Sequence, residues 1–127
     1  MIFQVNEEII VTNKTRLDDI AKALYKYNFM EMCNHDEIIC YGRSNIWGSI
    51  DASVQLYFDS TKQLNSILIG IIPPNFNSTQ NILIKEYGEP TIKKGDEDSS
   101  WEIENTTVSH CVQDHFGDVE IIFVKWK

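Results

Sequence analysis

Every cysteine and histidine of the chain falls in one of two short clusters, Cys33-x-His35-x4-Cys40 and His110-Cys111-x3-His115. These side chains are the usual zinc ligands, and a zinc site needs about four of them converging within bonding range. Neither spacing matches a known zinc pattern. His110 and Cys111 are neighbours in a β-like stretch, where successive side chains point to opposite faces, so both cannot reach one metal. Cys40 lies in an apolar run and reads as core. No metal site and no cofactor is therefore expected.

The same residues could serve acid–base or nucleophilic chemistry. His110, Asp114 and His115 with Lys125 nearby would supply an acid and a base for phosphodiester cleavage. Cys111 beside His110 would imitate a thiol and its base. A small metal-dependent or histidine-based hydrolase or nuclease is the alternative that these residues keep open, with a structural adaptor subunit as another. Against catalysis, the simplest placement of His110 is an exposed strand face and of His115 a turn. An acidic surface would also repel a phosphodiester substrate. No glycine-rich phosphate cradle, serine elbow or His-Glu-x-x-His helix occurs. The expectation is a protein that is not an enzyme.

The third concentration is of carboxylates. Between Glu86 and Glu120 lie ten of them (Glu86, Glu89, Asp96, Glu97, Asp98, Glu102, Glu104, Asp114, Asp118 and Glu120), against only Lys93 and Lys94. Glu102 and Glu104 alternate with Trp101 and Ile103, which in a strand would send both carboxylates to one solvent face. Such a surface either keeps the protein soluble or meets a basic partner. Carboxylates steer association, while affinity comes from aromatic anchors. The partner-binding set read from the sequence is Asp96, Glu97, Asp98, Glu102, Glu104, Asp114 and Asp118, with Trp47, Tyr57 and Trp101 as anchors.

The whole chain, 127 residues with net charge −8, narrows the partner. Nucleic-acid binding depends on lysines and arginines that neutralise phosphates, and the 11 basic residues are scattered. Nucleic acid is therefore not expected, nor is an anionic membrane; a basic protein is favoured. Three cysteines are too few, and odd in number, for a disulfide framework. The start lacks the basic and apolar regions of a signal peptide, and no apolar run approaches bilayer-spanning length. A cytoplasmic protein is expected.

These side chains must be positioned by elements that the periodicity suggests. Leu17, Ile20, Ala21 and Leu24 predict a helix over about 16–27, capped by Thr15 and ended by Asn28. A second helix is expected over about 79–87, with Ser78 as cap, Gly88 just past its end and Pro90 beyond. Strands are expected at 37–41, 50–58, 64–72, 101–104, 107–112 and 119–126, with one more short strand somewhere in 2–11. The stretch 93–100 reads as a polar loop, and turns are expected at Asn105 and at 116–118. This pattern implies an α+β domain spanning 1–127, a mostly antiparallel sheet of about six strands with two helices on one face. The order, helix and three strands twice over, suggests structural repeats over 1–72 and 73–127.

A small, acidic α+β domain without catalytic residues resembles the immunity proteins of bacterial toxin–immunity systems, such as contact-dependent inhibition and polymorphic toxins. Leu83-Ile-Lys-Glu-Tyr-Gly-Glu-Pro90 followed by Trp101 also looks like a phrase common in small bacterial α+β domains. The resemblance implies a cognate basic toxin, often a nuclease, blocked by one-to-one binding, with carboxylates standing where phosphates would sit. It carries over no individual residue.

Overall fold

The computed structural model describes residues 1–113 and 118–126. Helix α1, Leu17–Lys26, forms where the sequence places it, because Leu17, Ile20 and Leu24 recur along one side and are buried. Its start differs by one residue. Arg16 is the cap, and its N–H donates to the Asp19 carboxylate at 2.9 Å. Thr15 instead accepts the Thr12 N–H on its hydroxyl and the Leu64 N–H on its carbonyl, tying the helix entry to a distant strand. Asn28 takes the expected left-handed conformation (φ 62°).

Ahead of α1 lies a two-stranded ribbon, β1 (Phe3–Gln4) and β2 (Ile10–Val11). After it come β3 (Met30–Asn34), β4 (Glu37–Ile46), β5 (Ile50–Phe58) and β6 (Leu64–Ile71). Helix α2, Phe76–Tyr87, follows, and then β7 (Ile92–Gly95), β8 (Asp98–Ile103), β9 (Thr106–Gln113) and β10 (Val119–Trp126). Eight strands form one antiparallel sheet in the order β3-β4-β5-β6-β10-β9-β8-β7. Each helix thus precedes a four-stranded meander, and β6 and β10 pair at the centre.

This corrects the expected sheet of about six strands. The sheet has eight, with two more in the ribbon. Both strands missing from the sequence reading are the sheet's edges. Met30–Asn34 and Ile92–Gly95 are exposed at every position, so neither shows the alternation by which a half-buried strand is recognised. Their backbones are recruited by hairpin pairing with β4 and β8. The segment 93–100, read as a loop, therefore contains the β7–β8 hairpin. Gly42 does not end its strand: β4 runs through it, because the Phe29 ring packs where a Cβ would lie. Helix α2 begins at Phe76 rather than near Thr79, with Asn75 as cap, and ends at Gly88 (φ 84°) as expected.

Cα register fixes which residues share a face. Ala52, Val54 and Leu56 of β5 align with Ile67 and Ile69 of β6, then Ile122 and Val124 of β10, Val108 of β9 and Trp101 of β8. These join Phe3, Val5, Ile9, Val11, Leu17, Ile20, Leu24 and Leu83 in a single core cluster. The ribbon and both helices therefore cover one and the same face of the sheet.

Candidate interaction face

The opposite face is crossed by continuous cross-strand rows. One runs Met30, Tyr41, Gln55, Leu68, Phe123, Ser109, Ser100 and Ile92, from edge to edge. A second runs Met32, Ile39, Tyr57, Ser66, Lys125, Thr107 and Glu102. A third carries Arg43, Ser53, Gly70, Ile121, Cys111 and Asp98. None of these apolar side chains belongs to the core cluster. Leu68, Ile121 and Phe123 at the centre are only half-buried, while Met30, Met32, Tyr41 and Ile92 are exposed. Among the described residues no helix covers this face. An antiparallel sheet with one wet side normally turns polar residues outward. Here the outward positions of β10 are Val119, Ile121, Phe123 and Lys125, three of them apolar, and Leu68 of β6 lies beside Phe123.

The carboxylates are unevenly placed around it. Asp98 and Glu102 both project from β8 onto the open face, and the Thr107 hydroxyl donates to Glu102 at 3.1 Å. Asp96 and Glu97 are exposed in the β7–β8 turn, and Asp118 is exposed just before β10, at the same end of the sheet. Glu104 does not share a face with Glu102 in the strand. Strand β8 stops at Ile103, and Glu104 takes a left-handed conformation (φ 52°) in the hairpin turn, 3.7 Å from the N-terminal amine. Asp51, also on the open face, is paired with Arg43 at 3.0 Å. Asp114 and His115 lie outside the described residues.

No family model, curated protein or solved structure matches this chain. Its chemistry must be read from its own residues, and the aromatic anchors sort clearly. Trp101 is buried on the helix side of the sheet, and its indole N–H donates to the Gly88 carbonyl at 2.8 Å, pinning the end of α2. It is a core residue and is corrected out of the anchor set. Trp47 is half-buried and tilted against Phe3, with ring centroids 5.9 Å apart. It lines a cleft of about 730 Å³ with Tyr27, Arg43, Glu7 and Glu86. Tyr57 alone of the three lies on the open face, half-buried, with its hydroxyl donating to Gln55. The residues that sequence reasoning missed are Leu68, Ile121 and Phe123. Their strands are mostly apolar in sequence, and only the placement of both helices on one side leaves these three outward.

The histidine reading is also corrected. His110 is not on an exposed face but fully buried between the sheet and α2. Its ring stacks on Phe76, centroids 4.0 Å apart and 4° from parallel. Nε2 donates to Glu120 Oε2 at 2.5 Å, and Nδ1 lies 2.6 Å from Gln80 Oε1. Gln80 Nε2 in turn donates to Ser99 Oγ at 2.9 Å. Glu120, one of the ten carboxylates in the acidic stretch, is equally buried, and its other oxygen accepts the Asn75 N–H at 2.7 Å. Burial by itself would raise the Glu120 carboxyl. Hydrogen bonds from His110, the Asn75 N–H and the Thr79 hydroxyl outweigh it and hold the carboxyl below its usual value. Phe76, Asn75, Thr79 and Gln80 all belong to the first turns of α2 or its cap, so this network docks the helix.

His110 and Cys111 point to opposite sides of the sheet, and Lys125 shares the open face with Cys111, not the buried site of His110. The structure does not bring these groups together. Burial and the neighbouring Asp98 raise the Cys111 thiol, and burial with Glu31 pushes Cys40 up to about 11, which keeps both protonated at neutral pH. Among the described residues no three histidine, cysteine or carboxylate side chains are grouped as metal ligands. Among the described residues no helix is long and apolar enough to cross a membrane.

Proposed function

We propose that the protein is a non-enzymatic inhibitor that binds a basic protein partner in the cytoplasm, in the manner of an immunity protein neutralising its cognate toxin. The observation that carries this reading is the uncovered sheet face. It offers an apolar centre of half-buried Leu68, Ile121 and Phe123 on a face that no helix covers among the described residues. Asp98 and Glu102 border it, with Asp96, Glu97 and Asp118 at one end. An apolar centre with a charged rim is the anatomy of a protein interface, and the sign of the rim selects a cationic counterpart. Carboxylates at the rim raise the encounter rate; the apolar rows hold the complex. The partner that fits is a nuclease-type toxin, whose basic active site the rim would occupy in place of phosphates.

The test is a pull-down at low salt with the full chain as bait, and association of the captured basic protein is then followed by stopped-flow at about 50 and about 200 mM salt. Association of the wild-type protein should slow by about 10-fold or more across that range. Asp98→Lys with Glu102→Lys should slow it at low salt, and Phe123→Asp should abolish stable binding while circular dichroism stays unchanged. Wild-type binding by a folded Phe123→Asp variant would remove the open face from the proposal.

A further inference from the structure

The two edges of the eight-stranded sheet are protected unequally. Strand β7 has four residues, two of them lysines, and its register shifts between Lys93 and Gly95. Short length, lysine and a bulge are the features that block edge-to-edge pairing. Strand β3, Met30-Glu31-Met32-Cys33-Asn34, is one residue longer, has neither lysine nor bulge, and carries a single charge, Glu31. It pairs in unbroken register with β4 and is exposed at every residue, with Met30 at 61% and Met32 at 48%.

We infer that β3 is the interface between two copies of this chain, joined across a two-fold axis at Met32 into one continuous sixteen-stranded sheet. The inference does not rest on the inhibitor reading. It follows from which backbone groups point outward. Asn34 and Glu37 close a two-residue hairpin loop, so they exchange both hydrogen bonds, and Met32 and Met30 face β4 in the same way. Glu31 and Cys33 therefore turn their N–H and C=O groups to the open edge. Antiparallel self-pairing centred on Met32 places Glu31 of each copy opposite Cys33 of the other, which satisfies all of these groups at once.

The neighbouring registers are worse. Centring on Glu31 sets two carboxylates face to face, and it calls on Phe29, whose N–H already bonds the Leu24 carbonyl at 2.9 Å. Centring on Cys33 sets Glu31 against His35, a turn residue with φ 57°. In the favoured register Met32 meets its own copy and Met30 lies beside it on the open face. The apolar rows then continue from one copy into the next. The axis has the same orientation to the sheet as the antiparallel junction of β6 and β10, and the contact is isologous.

One edge strand is small against the ~1,600 Å² of a standard interface, so the dimer forms reversibly at micromolar to millimolar concentration. Sedimentation of the full chain from about 10 µM to about 1 mM should show the mass rising from 14.7 kDa toward twice that value. Met32→Lys, which sets two like charges across the axis, should weaken association about 10-fold or more. Residues facing each other in such a pair have Cα atoms about 4.5 Å apart, within disulfide range. Met32→Cys in a Cys33→Ser background should therefore crosslink rapidly on mild oxidation. The wild-type Cys33 pair, diagonal at roughly 7–8 Å, should not. A monomer at every concentration would overturn the inference. So would association unchanged by Met32→Lys, or crosslinking through Cys33 but not through position 32, a readout that stands even if the lysine variant fails to fold.

Discussion

Truncating Glu120 to alanine should be among the most damaging single substitutions in this protein. Its side chain is wholly buried and accepts from the His110 ring at 2.5 Å, the Asn75 N–H at 2.7 Å and the Thr79 hydroxyl, and the first two have no other acceptor for those hydrogens. Each orphaned donor costs about 1–3 kcal/mol, and removing one member of a buried pair typically costs about 3–5 kcal/mol. These figures describe the same loss, so the expectation is about 3–5 kcal/mol in all, or a fall in Tm of roughly 10–20 °C. Urea unfolding followed by tryptophan fluorescence measures it. A double-mutant cycle isolates the pair. His110→Phe keeps a ring on Phe76, and Glu120→Leu leaves no charge, so the double variant should be more stable than the sum of the singles by about 2 kcal/mol. The Asn75 N–H stays orphaned in that variant, so full recovery is not expected. A cost below about 1 kcal/mol for Glu120→Ala, or additivity within about 0.5 kcal/mol, would refute the buried pair.

Two further outcomes follow from the same geometry. Because the folded Glu120 carboxyl is held below its usual 4.5, its stabilisation is complete above that value and is lost as pH falls through the lower folded one. The gap in urea midpoint between wild type and Glu120→Gln should be widest near neutral pH and close in acid; a gap constant from pH ~7 to pH ~3 would contradict this. Gly42→Ala would place a Cβ 2.8 Å from Cδ1 and 2.9 Å from Cγ of Phe29. The ring must move, at a cost of about 1–3 kcal/mol read from the urea midpoint, and a neutral substitution would show that the ring has room. By contrast, Lys26→Ala breaks the exposed pair with Glu8 and the exposed contact of its ammonium with the Tyr27 ring, and should move that midpoint little.

Periodicity made α1 legible because its apolar stripe is encoded within ten residues, and Gly88 with Pro90 marked the end of α2 in the same local way. Strand β5 was legible for the same reason. The clean alternation from Ile50 to Phe58 is a local pattern with one buried side. The chain's charge is likewise a property of composition alone, and it shapes the choice of partner whatever the fold.

Tertiary structure decided the rest. Strands β3 and β7 are held by backbone pairing and carry no burial pattern, so nothing in their residues marks them. The fate of His110 was equally hidden. Whether a histidine in an alternating strand faces water or the core depends on which side the helices take, and both took the side of His110. That single choice buried His110, Glu120 and Trp101 together and turned Leu68, Ile121 and Phe123 outward. Side-chain alternation is a local property of a strand, but the identity of its wet side belongs to the packing of the whole molecule.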